Sequence, residues 1–122
     1  MLQSYSIGID VGADTPIPFN NVSLRKGCTV TQSGVSTFDL NKCGIYHIEV
    51  DGTATAETTF QLYKDGVALP QAQSTGTTLG FSTLVQVDHN NCDCACASPT
   101  RIQVVNTTAT NVDANIVITK LV

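Results

Sequence analysis

The segment from Phe38 to Val50 carries the clearest strand pattern in this sequence of 122 residues. After a turn at Asn41–Gly44, apolar and polar residues alternate, and successive side chains of a β-strand point to opposite faces. The pattern predicts a half-buried antiparallel strand. Ile45 is an apolar residue on the polar face, and we interpret it as a residue that another subunit covers. The residues that alternate are Tyr46, Ile48 and Val50 on the buried face and His47 and Glu49 on the other.

Similar alternation recurs along the chain, in short segments that turn residues separate. Asp65-Gly66 predicts a tight two-residue hairpin between residues 58–64 and 67–72. Asp51-Gly52 predicts a break after the strand at Tyr46–Val50, and Gln73–Gly80 is expected to be an exposed loop or a weak strand. No apolar stripe at helical spacing is long enough for a helix. About eight to ten short strands without helices predict an all-β sandwich or barrel.

The weaker segments carry their own predictions. A chain of this length fits one domain, residues 1–122. For residues 1–15 there are two interpretations, a short strand and an N-terminal arm or attachment segment. Near the C-terminus, Ile116 and Ile118 should be buried, with Val117 on the opposite face. Three other segments also contribute residues that we expect in the core. They are Ile7, Ile9 and Val11 in the first, Val22 and Leu24 in the second, and Phe81, either Leu84 or Val85, and Val87 in the third.

Composition excludes two classes of partner. The net charge is −4, and only six Lys and Arg residues are scattered along the chain, which argues against binding to nucleic acid phosphates. No run approaches the roughly 18 apolar residues of a membrane span, and the N-terminus lacks the pattern of a signal peptide. We therefore expect a protein made in the cytosol, with no nucleic acid or membrane partner.

The cluster Cys92, Cys94 and Cys96 is the motif in this sequence that most strongly indicates a specific chemistry. On an extended strand these three thiols share one face, and with a fourth donor such as His89, Cys28 or Cys43 they could bind zinc. Zinc sites usually have two or more residues between cysteines, so this spacing is unfavourable. A disulfide, for example between Cys28 and Cys43 or inside the cluster, is a second interpretation. We favour the third, buried or interface thiols, and expect no cofactor.

The sequence contains no pattern of an enzyme active site. His47 and His89 form no obvious pair, and no Ser or Cys lies in a recognised nucleophile motif. The glycines lie in turns and form no phosphate-binding loop between a strand and a helix. We therefore expect a protein without catalytic activity.

Three parts of the chain together carry a resemblance to a known family. The first is Phe38-x-Leu40-x3-Gly44-x-Tyr46-x-Ile48-x-Val50, the second is Phe60-x-Leu62-x-Lys64-Asp65-Gly66, and the third is the final pair of strands, Ile102–Asn106 and Ala114–Leu121. Over roughly Pro16 to Leu121, this pattern resembles the tumour necrosis factor and complement-head jelly-roll superfamily. The last pair also resembles the strands that close trimeric heads of spore-surface proteins and bacteriophage fibres.

The resemblance implies a two-sheet antiparallel jelly roll that forms a homotrimer and has no catalytic chemistry. The short chain without a collagen repeat or stalk resembles a bacteriophage virion protein, either a capsid-decoration protein or the knob of a head fibre. Its expected partners are other virion proteins such as the major capsid protein, and its expected location is the virion, assembled in the host cytoplasm. The alternative is a head of a phage fibre or of a bacterial or spore surface that binds a receptor or a host-surface glycan. The candidate residues of the trimer interface are Ile45, His47, Glu49 and Val117.

Overall fold

The structure is a computed structural model that describes residues 1–87 and 100–122. These residues form nine β-strands and no helix, which confirms the all-β prediction. No helix in the described ranges is long and apolar enough to span a membrane. The strands are β1 (Leu2–Val11), β2 (Thr15–Pro16), β3 (Asn21–Arg25), β4 (Val30–Gly34), β5 (Thr37–Leu40), β6 (Gly44–Lys64), β7 (Val67–Val87), β8 (Thr100–Asn106) and β9 (Thr110–Lys120).

The strands pair antiparallel in two layers that share the long strands β6 and β7. The first half of β6 pairs with β9, β9 with β1 and β1 with β3; with the second half of β7 they form the first sheet. The second half of β6 pairs with β8, β8 with β5 and β5 with β4; with the first half of β7 they form the second sheet. This is the predicted two-sheet antiparallel jelly-roll sandwich.

The predicted central strand lies at the start of β6. Tyr46, Ile48 and Val50 are fully buried between the sheets, as the alternation predicts. Gly44 begins the strand with a φ of 145°, and a β-carbon there would lie 2.1 Å from the carbonyl oxygen of Val122. Only glycine has no β-carbon to clash at this point.

The turn at Asp65-Gly66 is a hairpin, as predicted. Both residues have positive φ values, 50° and 81°, which is the geometry of a type I′ turn. The strand after it does not stop at Ala72, because β7 continues through Gln73–Gly80 to Val87. Of the two alternatives predicted for Gln73–Gly80, the strand is confirmed and the exposed loop is not, since pairing with β6 satisfies the backbone of this polar segment.

The break predicted at Asp51-Gly52 is also absent, since β6 continues through both residues. Pairing with β9 extends from Tyr46 to Ala54 and holds the chain in one strand across this dipeptide. The described residues therefore contain nine strands, within the predicted range of about eight to ten. Two of these strands have 21 residues each, so the prediction that all strands are short was wrong.

Residues Leu2–Val11 form a strand of the sandwich. Strand β1 lies between β3 and β9, and its buried residues include Leu2, Ser4 and Ser6. Ile7, which we expected in the core, is 71% exposed, because a bulge between Ser6 and Ile9 shifts the register.

Strand β3 differs from the prediction in a similar way. All five of its residues are exposed, including Val22 and Leu24. They do not share a core face, because the pairing of β3 with β1 shifts register between Gln3 and Ser4.

Candidate functional site

The four predicted interface residues lie on the outer face of the first sheet. Ile45, His47 and Glu49 alternate with the buried residues of β6, and on β9 Val117 lies between the buried Ile116 and Ile118. Glu49 pairs with Val117 across the two strands. The structure therefore brings the four residues together on one face of the first sheet. Their contact with neighbouring subunits stays a prediction.

Leu84 of β7 belongs to the same face. It pairs with His47 and is 59% exposed, whereas its neighbour Val85 is buried. The sequence left open which of these two residues enters the core. The signal was the alternation with Val87, because Val85 and Val87 share the buried face and Leu84 must then point outward.

The chemical character of the outer face changes from apolar to acidic along the strands. At the end where β6 begins, three apolar residues lie on adjacent segments: Ile45 of β6, Leu84 of β7 and Leu121, which directly follows β9. The backbone N–H of Leu121 donates to the carbonyl of Ile45 over 2.7 Å. Farther along, the exposed carboxylates of Asp51 and Asp113 follow. We call the outer surface around Ile45, His47, Glu49, Leu84 and Val117 the outer apolar face.

A second feature is an open hollow of about 360 Å³ on the second sheet. Arg101 and Gln103 of β8, Thr37 of β5 and the turn residues Asp65 and Gly66 line it. Sequence analysis missed this site, because its residues come from three separate segments that only strand pairing brings together. Their spacing along the chain carries no signal of it.

Hydrogen bonds fix the frame of the hollow. The backbone N–H of Arg101 donates to Oδ1 of Asp65 over 2.9 Å, and the N–H of Asp65 donates to the carbonyl of Arg101 over 2.8 Å. On the other side, Nε2 of Gln103 donates to Oγ1 of Thr37 over 3.1 Å. The hairpin turn is thereby tied to β8, and β8 to β5.

The predicted zinc site, Cys92, Cys94 and Cys96, lies outside the described residues. Cys28 is an exposed free thiol, so the disulfide between Cys28 and Cys43 is absent. Cys43 is buried. Within residues 1–87 and 100–122, no group of three or more His, Cys, Asp or Glu side chains could hold a metal ion.

No protein-family model and no curated protein sequence matches the chain, but solved structures do. The globular domain of zebrafish complement 1qA protein has a TM-score of 0.78 at 9% identity, over 99% of this chain and 96% of that one. The Eiger TNF from S. frugiperda has a TM-score of 0.70 at 10% identity, over 99% and 92%.

Murine APRIL, crystallised at pH 5.0, has a TM-score of 0.64 at 11% identity, over 98% of each chain. At such low identity these likenesses concern the fold, and they extend over nearly the whole chain, beyond the range Pro16 to Leu121 of the sequence resemblance. The chain thus has the jelly-roll fold of tumour necrosis factor and complement 1q domains.

Proposed function

We propose that this protein is a homotrimeric, non-enzymatic structural knob of a bacteriophage virion, either a capsid-decoration protein or the head of a fibre. The outer apolar face is the observation that supports the proposed homotrimer. Leu84 is 59% exposed there, and Ile45 and Val117 on the same face are partly exposed; covering such side chains is favourable by roughly 25 cal/mol for each Å² of apolar surface.

The architecture suits a passive structural part. Strands β6 and β7 pair over most of their 21 residues each, and charged residues are only 13% of the chain. The assignment to a virion rests on the resemblance of the final strand pair to those that close bacteriophage fibre heads. The proposed partners are the major capsid protein and other virion proteins.

Two measurements test the proposal. Light scattering of the native protein should give three times the mass of one 12.9 kDa chain, and a monomer would overturn the trimer. Purified protein should then be captured by empty capsids of a bacteriophage whose particles carry it. Failure on capsids, together with saturable binding to whole cells, would overturn the structural role.

The second candidate function is a receptor- or glycan-binding, adhesin-like head of a phage fibre or of a bacterial or spore surface. The hollow beside Arg101 favours it, because its lining combines a guanidinium, an amide, a hydroxyl and a carboxylate. Such groups fix polar ligands by hydrogen bonds. Capture of the isolated protein by cells, lost on addition of a soluble saccharide, is the expected result for this function.

A further inference from the structure

We infer that the hollow lined by Thr37, Asp65, Gly66, Arg101 and Gln103 is a binding site for one ring of a neutral saccharide. The inference deepens the second candidate function, on which it rests, and names the ligand class and its contacts. It is independent of the trimer, because the hollow lies on the second sheet and the outer apolar face on the first.

The size of the hollow limits the ligand. Its volume is about 360 Å³, near the lower end of the roughly 300–1,000 Å³ range of small-molecule sites. It is formed by rigid elements, since β5, β8 and the hairpin turn are held together by the hydrogen bonds given above. A single ring fits such a site better than an extended chain.

Unused hydrogen-bonding capacity in the hollow points to hydroxyl groups. The bond from Gln103 to Thr37 uses the amide nitrogen and the hydroxyl oxygen, and leaves the amide oxygen of Gln103 and the hydroxyl hydrogen of Thr37 available. Asp65 contributes a second carboxylate oxygen, and Arg101 contributes guanidinium N–H groups. A sugar hydroxyl can both donate and accept, and therefore suits this mixture of donors and acceptors.

Asp39 supplies an independent observation beside the hollow. It pairs with Arg101 in register, its side chain is 12% exposed, and its Oδ1 is buried without a hydrogen-bond partner. Nε of Arg101 lies 3.7 Å from this oxygen, too far for a hydrogen bond. A buried orphan acceptor is costly, and a ligand that draws the 66% exposed Arg101 side chain inward would satisfy it.

The local charge favours a neutral ligand over an acidic one. The carboxylate of Asp39 lies beside the guanidinium of Arg101, and the carboxylate of Asp65 accepts from the backbone N–H of Arg101, so a carboxylate on the ligand would meet two negative charges and one positive charge. Tyr63 lies opposite Gln103 in the next strand, β6. Tyr63 does not line the hollow, but its aromatic side chain combines apolar surface with a polar tip, which suits the mixed character of a sugar ring that extends beyond the hollow toward β6.

The test is a titration of the full-length protein, followed by amide NMR, with glucose, galactose, mannose and N-acetylglucosamine in turn, and with glucuronate. At least one neutral sugar should give saturable shifts of the Gly66, Arg101 and Gln103 amides, with a Kd on the order of 1 mM. The absence of saturable shifts from all four neutral sugars at tens of millimolar, or tighter binding of glucuronate than of glucose, would overturn the inference.

Two variants sharpen the test. Arg101→Ala should weaken binding at least about tenfold, because it removes the charged donor, and its thermal unfolding curve shows whether the fold is kept. Arg25→Ala removes the same charge from exposed strand β3 of the other sheet and should bind like the wild type. Equal affinity of the wild type and a folded Arg101→Ala protein would contradict the assignment. The oligomer mass, measured separately, shows whether the proposed trimer fails independently of sugar binding.

Discussion

The hydroxyl of Thr58 donates a 2.5 Å hydrogen bond to the amide oxygen of Asn106, inside the sandwich. Asn106 is fully buried, and its Nδ2 donates to the carbonyls of Val11, Gly12 and Thr108. The hydroxyl of Thr58 also accepts from the backbone N–H of Thr108 over 3.1 Å. This pair thus joins β6 to the turn between β8 and β9 and to the end of β1.

Thr58→Val is therefore expected to lower the free energy of unfolding by about 1–3 kcal/mol, because it leaves the amide oxygen of the buried Asn106 without this partner. Chemical denaturation measures this difference. The control is Thr77→Val on an exposed position of β7, where a change within about 0.5 kcal/mol is expected. Equal effects of the two substitutions would contradict the importance of the buried bond.

Tyr46 is the largest side chain of the central strand and is fully buried. Tyr46→Ala should cost about 3–5 kcal/mol of stability. The hydroxyl donates to the carbonyl of Lys42 over 2.6 Å and accepts from the Lys42 N–H over 3.3 Å. Tyr46→Phe should therefore cost only about 1–2 kcal/mol. A loss below about 1 kcal/mol for Tyr46→Ala would place the ring outside the core.

Gly52 lies where β9 approaches β6 closely. A β-carbon there would come 2.2 Å from the carbonyl oxygen of Asp113 and 3.1 Å from Cα of Ala114, so the strands must separate to admit it. We expect Gly52→Ala to cost about 1–3 kcal/mol or more by overpacking, measured by thermal unfolding. Gly80→Ala is the matched control, because its nearest neighbour, Cβ of Asp51, would be at an ordinary 3.8 Å. A Gly52→Ala protein as stable as the control would show that the close approach is not maintained.

Leu84→Glu tests the outer apolar face. In the proposed trimer it places a charge in an apolar contact, so the mass from light scattering should fall from three chains to one. The chain itself should remain folded, because Leu84 is exposed in the monomer. Val67→Glu, at a 65% exposed residue beside the hairpin turn, is the control and should remain trimeric. A trimeric Leu84→Glu protein would exclude this face as the interface.

Zinc binding by the reduced protein tests the interpretation of the cysteine cluster. We expect no bound metal, and five thiols that react after unfolding, because the spacing of Cys92, Cys94 and Cys96 is poor for a tetrahedral site. Metal analysis after dialysis against zinc measures the first, and thiol titration in denaturant the second. One retained zinc ion for each chain, lost in Cys94→Ser, would contradict this prediction.

Local sequence patterns were enough to predict the parts of the fold that depend on neighbouring residues. Alternation placed Tyr46, Ile48 and Val50 in the core, and Asp65-Gly66 set the hairpin, because strand geometry and turn conformation are local properties. It also placed Ile45, His47, Glu49 and Val117 on the outward faces of their strands. Combined with its family resemblance, the pattern was sufficient to predict the jelly roll.

Only the tertiary structure decided what depends on distant partners. Ser6 is buried because its hydroxyl donates to the carbonyl of Pro18 over 2.6 Å and accepts from the N–H of Asn20 over 2.8 Å, and Ile7 is exposed because the bulge after Ser6 shifts the register. Pro18 and Asn20 are distant from Ser6 in the sequence, whereas apolar–polar alternation relates a residue only to its near neighbours in the same strand. The hollow likewise required pairing of β8 with β5 and β6 to bring Arg101 beside Thr37 and Asp65. Sequence alternation reports the face of a strand, whereas long-range hydrogen bonds and close strand contacts decide register, strand length and the composition of a site.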